Sequence, residues 1–215
     1  MPHVFVETNW LFDYAAPAHN QVPEAVELLE RSKRGEFTLH LPNLCIGEAR
    51  QAIRTKCQPR REAEAIRRFL TDHAAAGITA VEAESTRTIL DKYERSIKDD
   101  LDQLDDRLNE LAMLDHLHIF GLDDEMLARS TALILGGITL KPFDQSILAA
   151  VLVSSERLWH AGERGLSFCD TDTDLLPWAK DGTDKPNLRA SYNNAHVWVY
   201  SDFTLTRPTR RQNFE

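Results

Sequence analysis

The first 56 residues alternate short β-branched runs with amphipathic stretches, and this alternation restricts the fold more than any other feature. HVFVE, residues 3–7, is short, apolar and β-branched, the pattern of a buried strand. Thr8 or Asn9 is then placed to cap a helix through Trp10, Leu11 and Tyr14 that stops at Pro17. A second helix is predicted from Val22 to about Arg34. Pro23 sits in its first turn, Val26, Leu28 and Leu29 form its apolar face, and Gly35 ends it. FTLHL, residues 37–41, reads as a second strand stopped by Pro42 and Asn43. Asn43 can cap a third helix carrying Glu48 and Ile53. Strand, helix, strand, helix in so short a span predicts an α/β fold, a parallel sheet covered by helices.

From Pro59 to about Leu135 the pattern is almost wholly helical, with breaks expected near Gly77 to Thr79, at Asp99 and at Gly121 to Asp123. Pro142 then opens a helix with the apolar stripe Ile147, Leu148, Val151 and Leu152. GLSFCD is a third strand candidate, and AHVWVYSDF, residues 195–203, a fourth. The expected organisation is one domain over residues 1–206 with a helical insertion at about 59–135. A loose basic tail, residues 207–215, would follow it. At 215 residues and 42% hydrophobic content, the chain can bury one substantial core.

A net charge of −9 argues against holding nucleic acid through the overall field, but leaves room for an enzyme that concentrates acids at a metal. No apolar run approaches the roughly 20 residues of a membrane span. MPHVFVETNW has neither the basic flank nor the apolar length of a secretion signal. Cys45, Cys57 and Cys169 show no metal spacing and read as reduced thiols, so a cytoplasmic location is expected.

The acids stand at the ends of elements. Glu7 ends the first predicted strand, and Asp170 and Asp172 end the third. Glu48 falls near the start of the helix after strand two, and Asp144 in the first turn of the helix before strand three. In open parallel sheets ligands sit just outside the carboxyl ends of the strands. Acids from four segments crowded on that rim repel one another unless a cation compensates, and Mg²⁺ or Mn²⁺ prefers such oxygen donors. Each acid alone also has a plain reading: Glu7 and Asp144 as first-turn helix charges, Glu48 as a solvated helix residue, and Asp170, Asp172 and Asp174 as turn residues.

The ordered set VFVETN at 4–9, Glu48 in LPNLCIGEAR, Asp144 in KPFDQSILAAVL and FCDTDTDLL at 168–176 resembles the PIN-domain nucleases. The family's first motif ends in Asp-Thr-Asn, and here the acid is Glu7, one methylene longer. In the last motif Asp172 is the best match, Asp174 comes next, and Asp170 replaces the usual Thr. The likeness covers about residues 3–56 and 136–178. It implies a parallel-sheet α/β/α sandwich of PIN-like type and metal-dependent phosphodiester cleavage, most often of RNA. Glu7, Glu48, Asp144 and Asp172 would be the catalytic acids, and Asp170 and Asp174 further metal ligands. Thr8 and Asn9 would orient carboxylates or water. One Mg²⁺ or Mn²⁺ would activate a water for in-line attack, and a second would stabilise the leaving oxygen. The roles compatible with this are toxin, defence effector or RNA-processing enzyme. An inhibitor protein or a second copy of the chain would be the partners besides single-stranded RNA.

Arg50, Arg54, Lys56, Arg60, Arg61, Arg67 and Arg68 follow Glu48 closely and would suit a phosphate track, or else a solvated face paired with Glu62 and Glu64. Trp10, Phe12 and Tyr14 are candidates for base stacking or for the core. His116 and His118, read as helical, would face apart. Two alternatives to a nuclease remain. One is a catalytically weak PIN-like scaffold. The other is a haloacid-dehalogenase-type phosphatase with Asp170 as nucleophile, disfavoured because that motif comes so late in the chain.

Overall fold

The computed structural model describes residues 1–71 and 77–205, and of residues 59–62 the backbone alone. The structure is α/β, built on a five-stranded, all-parallel sheet. Its strands are β1 (His3–Phe5), β2 (Thr38–Pro42), β3 (Leu117–Phe120), β4 (Leu166–Cys169) and β5 (Val197–Tyr200). They lie in the order β3-β2-β1-β4-β5. Central β1 is buried throughout, as expected of a strand covered on both faces, whereas edge strand β5 alternates buried and half-buried positions.

The helices are α1 (Thr8–Ala15), α2 (Pro23–Lys33), α3 (Leu44–Lys56), α4 (Pro59–Thr71), α5 (Ala80–Asp102), α6 (Leu104–Leu111), α7 (Asp124–Leu135), α8 (Pro142–His160) and α9 (Pro186–Asn194). Helix α1 packs on α2 and α3, and α8 packs on α7 and β2. One continuous core joins Phe5, Leu39 and Phe168 of the sheet to Trp10 and Leu11 of α1, Leu28 of α2, Leu148 and Val151 of α8, and Tyr192 of α9. Helix α8 is buried almost all round over Ile147–Val153, so it behaves as an internal helix rather than a surface one.

Several expectations need correction. The helical stretch expected over 59–135 is interrupted by β3, which pairs with β2 and completes one edge of the sheet. What leaves the sheet is α4 and α5, which pack on each other around their own small cluster of Ala63, Leu70, Ala83 and Leu90. Helix α5 runs straight through Asp99 and breaks only at Gln103. Its start carries a capping box, with Thr79 accepting from the Glu82 backbone and the Glu82 side chain reaching back to Thr79. Helix α1 is capped by Glu7 rather than by Thr8 or Asn9. Asn43 stands at the start of α3 but makes no side-chain cap bond. The expected basic tail from Arg207 onward lies outside the described residues. No helix among the described residues is long and apolar enough to cross a membrane.

Candidate metal centre

The strand order reverses between β1 and β4, and that switch point is where an open parallel sheet leaves a crevice at its carboxyl edge. Phe5 and Phe168 are register partners. Two residues beyond each, Glu7 and Asp170 therefore leave the ladder side by side. Glu7 is 3% exposed and Asp170 fully buried. Glu7 Oε1 accepts the Asn9 backbone N–H at 2.7 Å, which holds its carboxylate at the N-terminus of α1.

After β4 the alternating aspartates fold by a repeated local rule. Asp170 Oδ1 accepts the Asp172 N–H at 2.7 Å, and Asp172 Oδ1 accepts the Asp174 N–H at 2.8 Å. These two successive Asx turns spend one oxygen of Asp170 and of Asp172 on the backbone; the second oxygen of Asp170 stays buried, and Asp172 contributes an oxygen to the cluster described next. Asp144, in the first turn of α8, meets this loop. One carboxylate oxygen each from Asp144, Asp172 and Asp174 lie within 4.8 Å of one another. On the far side, Thr8 Oγ1 donates to Glu48 Oε2 at 2.5 Å, tying α1 to α3.

The six acids sense one another. Burial, then the charge of Asp170, pushes Glu7 well above the usual carboxylate range, and Glu48 adds to it. Burial pushes Asp170 up to about 7, with the Asp172 N–H opposing. Asp144 is raised by burial first and then by Asp172, with Lys141 pulling the other way. Without a cation, Glu7 and Asp170 therefore hold protons to higher pH than ordinary carboxylates do.

The donor set suits a hard divalent ion. All the groups are carboxylates, and Asp144 Oδ2 and Asp170 Oδ2 are buried with no hydrogen-bond partner. Oxygens sharing one octahedral ion at 2.0–2.1 Å stand about 2.9 Å apart when adjacent and about 4.2 Å when opposite, so the aspartate oxygens, now within 4.8 Å of one another, would close by up to about 2 Å. The structure thus divides the sequence candidates. Asp144, Asp172 and Asp174 come together, while Glu7–Asp170 and Glu48 flank them without sharing that cluster.

Helix geometry places the basic run on a different face of α3 from Glu48. Arg50 and Arg54 lie about 200–240° around α3 from Glu48. They face α6, where both contact Asp105, at 2.8 and 3.0 Å. Lys56 sits 5.1 Å over the ring of Phe12. Arg67 pairs with Asp91 and Glu94, and Arg68 with Glu64. The side chains of Arg60, Arg61 and Glu62 lie outside the described residues. Trp10 is fully buried and donates to Ala25 O, so it is core rather than a stacking platform.

Two cations outside that basic run, Lys141 and Lys185, stand closer to the acids. Lys141 lies 3.4 Å from Asp174 Oδ2, and Lys185 is held by the carbonyl oxygens of Thr173 and Asp174. Both line a groove of about 500 Å³ beside Asp174, between the 137–141 segment and the start of α9. Their signal in the sequence was only a single Lys before Pro142 and another before Pro186, which no spacing rule connects.

Substituting Glu7→Asp tests the longer side chain. Asp is itself a good helix cap, so stability should hold, while the carboxylate retreats by about 1.5 Å from Asp170. If the acids serve a metal-dependent reaction, its turnover is expected to fall with Tm nearly unchanged. Equal or higher turnover would show that the extra methylene has no role.

The chain matches no protein-family model, no curated protein and no solved structure with which it was compared.

Proposed function

We propose that this protein is a divalent-metal-dependent endonuclease of PIN-like type that hydrolyses phosphodiester bonds in RNA. The observation that carries the reading is the gathering of Asp144, Asp172 and Asp174 beside Glu48 and the buried Glu7–Asp170 pair, at the carboxyl edge of a parallel sheet. Asp144, Asp172 and Asp174 would hold Mg²⁺ or Mn²⁺, which when bound supplies a Lewis acid and a water acidic enough to attack near neutral pH.

The chain's own groups do the rest. Thr8 fixes the Glu48 carboxylate, and the Asn9 N–H fixes Glu7. The two Asx turns hold Asp172 and Asp174 in register with Asp144. Lys141 and Lys185 place positive charge at the mouth of the adjoining groove, where a phosphate chain would pass the acids. The phosphatase alternative fits less well, because a fully buried Asp170 with one oxygen bound to backbone is poorly placed to attack a substrate. A catalytically weak scaffold remains the other reading. That the four positions matching the family's acids, Glu7, Glu48, Asp144 and Asp172, are all acidic speaks against it.

The test is cleavage of labelled single-stranded RNA by the purified chain with Mn²⁺, with EDTA, and with Asp144→Asn. Activity should vanish in EDTA and fall by roughly 100-fold or more in the variant. Cleavage that persists in EDTA, or that the variant retains, overturns the proposal. Binding of RNA without any cleavage favours the scaffold.

A further inference from the structure

Three histidines on neighbouring strands form a row that shares no residue with the acid cluster. His3 stands on β1, His40 on β2 and His118 on β3, where His40 and His118 are register partners. His3 Nδ1 lies 2.8 Å from His40 Nε2, and His40 Nδ1 lies 3.2 Å from His118 Nδ1. At the other end His3 Nε2 is 3.2 Å from Glu163 Oε2.

A carboxylate only accepts, so Glu163 favours the proton on His3 Nε2. His3 Nδ1 then accepts from His40 Nε2–H, and His40 Nδ1 accepts from His118 Nδ1–H, a shared proton whose place a metal ion would take. Two nitrogens bound to one tetrahedral ion at 2.0–2.1 Å stand about 3.3 Å apart, close to the separation found.

We propose that His40 and His118 bind a borderline transition-metal ion of the Zn²⁺ or Ni²⁺ class through their Nδ1 atoms. Water completes the coordination shell, and His3 and Glu163 orient His40. Imidazole nitrogens select such ions over Mg²⁺, so the two metal sites are chemically separate. The His40–His3–Glu163 chain is the kind of outer support that fixes a ligand's tautomer and orientation. A groove of about 350 Å³ lies in front of the pair, lined by Met126, Ser154 and Leu158, with room for water ligands. Arg157, the cation on that groove, is neutralised by Asp123 and Glu125 at 2.6 and 2.5 Å.

The test is calorimetric titration of the full chain with Zn²⁺ in excess Mg²⁺, for wild type, His118→Ala and Asp144→Asn. His118 is exposed on an edge strand, so its truncation should leave the fold intact. The expected result is one Zn²⁺ per chain, weakened roughly tenfold or more by His118→Ala and unchanged by Asp144→Asn. As a readout on wild type alone, ¹⁵N-histidine NMR should show Nδ1 ligation of two rings. Absence of Zn²⁺ binding, binding indifferent to His118→Ala, binding lost in Asp144→Asn, or Nε2 ligation overturns the proposal. None of these outcomes bears on RNA cleavage.

Discussion

The metal-free protein should lose stability relative to its Asp170→Asn variant as pH rises from 5 to 8. Asp170 titrates near 7 in the fold against 3.8 as a free side chain, and Glu7 is raised as well. The folded state therefore keeps protons that the unfolded chain has released. For a group raised in this way, the stabilising contribution is complete below the unfolded pKa and is lost as pH climbs through the folded one. Between pH 5 and 7 the Asp170 carboxyl alone costs on the order of 3 kcal/mol. Asn cannot ionise, so the variant escapes this loss.

His40 acts in the opposite direction. It is held neutral in the fold but protonates below about 6.5 when unfolded, so it favours the folded state as pH rises. That contribution is common to both proteins and drops out of the comparison. The two melting curves should diverge by roughly 5–10 °C across this range. Saturating Mn²⁺ should restore the wild type and do less for Asp170→Asn. Parallel curves would mean that the Glu7–Asp170 pair is not the strained, proton-holding element described above.

The second large effect lies one helix turn away. Trp10→Ala should cost about 3–5 kcal/mol, or roughly 10 °C or more in Tm. Trp10 is the largest fully buried side chain, stacks on Tyr14 with ring centroids 5.6 Å apart, and donates its indole N–H to Ala25 O at 3.0 Å. Removing it opens a cavity and loses a buried hydrogen bond, although Ala25 O keeps its partner in the α2 ladder. Because α1 also carries Glu7 as its cap and Thr8 in its first turn, the proposed RNA cleavage should fall with stability. Trp10→Phe should recover most of the packing but not the hydrogen bond. A loss below about 1 kcal/mol for the Ala variant would show that α1 is not pinned from its buried face.

Local signals made the first half of the fold readable. Pro23 and Gly35 bracket α2, β-branched runs mark β1 and β2, and Pro142 opens α8, each through short-range sterics that need no partner. Strand β3 escaped because LHIF is only four residues long and sits among helical patterns. Its strand character comes from pairing with β2, which is non-local. The same blindness hid the histidine row. On a helix a spacing of two would separate the side chains of His116 and His118, whereas on a strand His118 is brought beside His40. The basic run after Glu48 was visible as composition. Its direction, around α3 toward Asp105, required knowing which face of the helix is buried.

By itself the sequence determined the alternating α/β character and the placement of acids at the ends of elements, since backbone sterics and hydrophobic period act within a few residues. Tertiary structure decided the strand order, and with it the neighbours of each acid. It set Glu7 against Asp170, grouped Asp144 with Asp172 and Asp174, and turned Arg50 and Arg54 away. Charges interact through space and not along the chain, so which carboxylates share a proton or a cation is settled only once the sheet has closed its order.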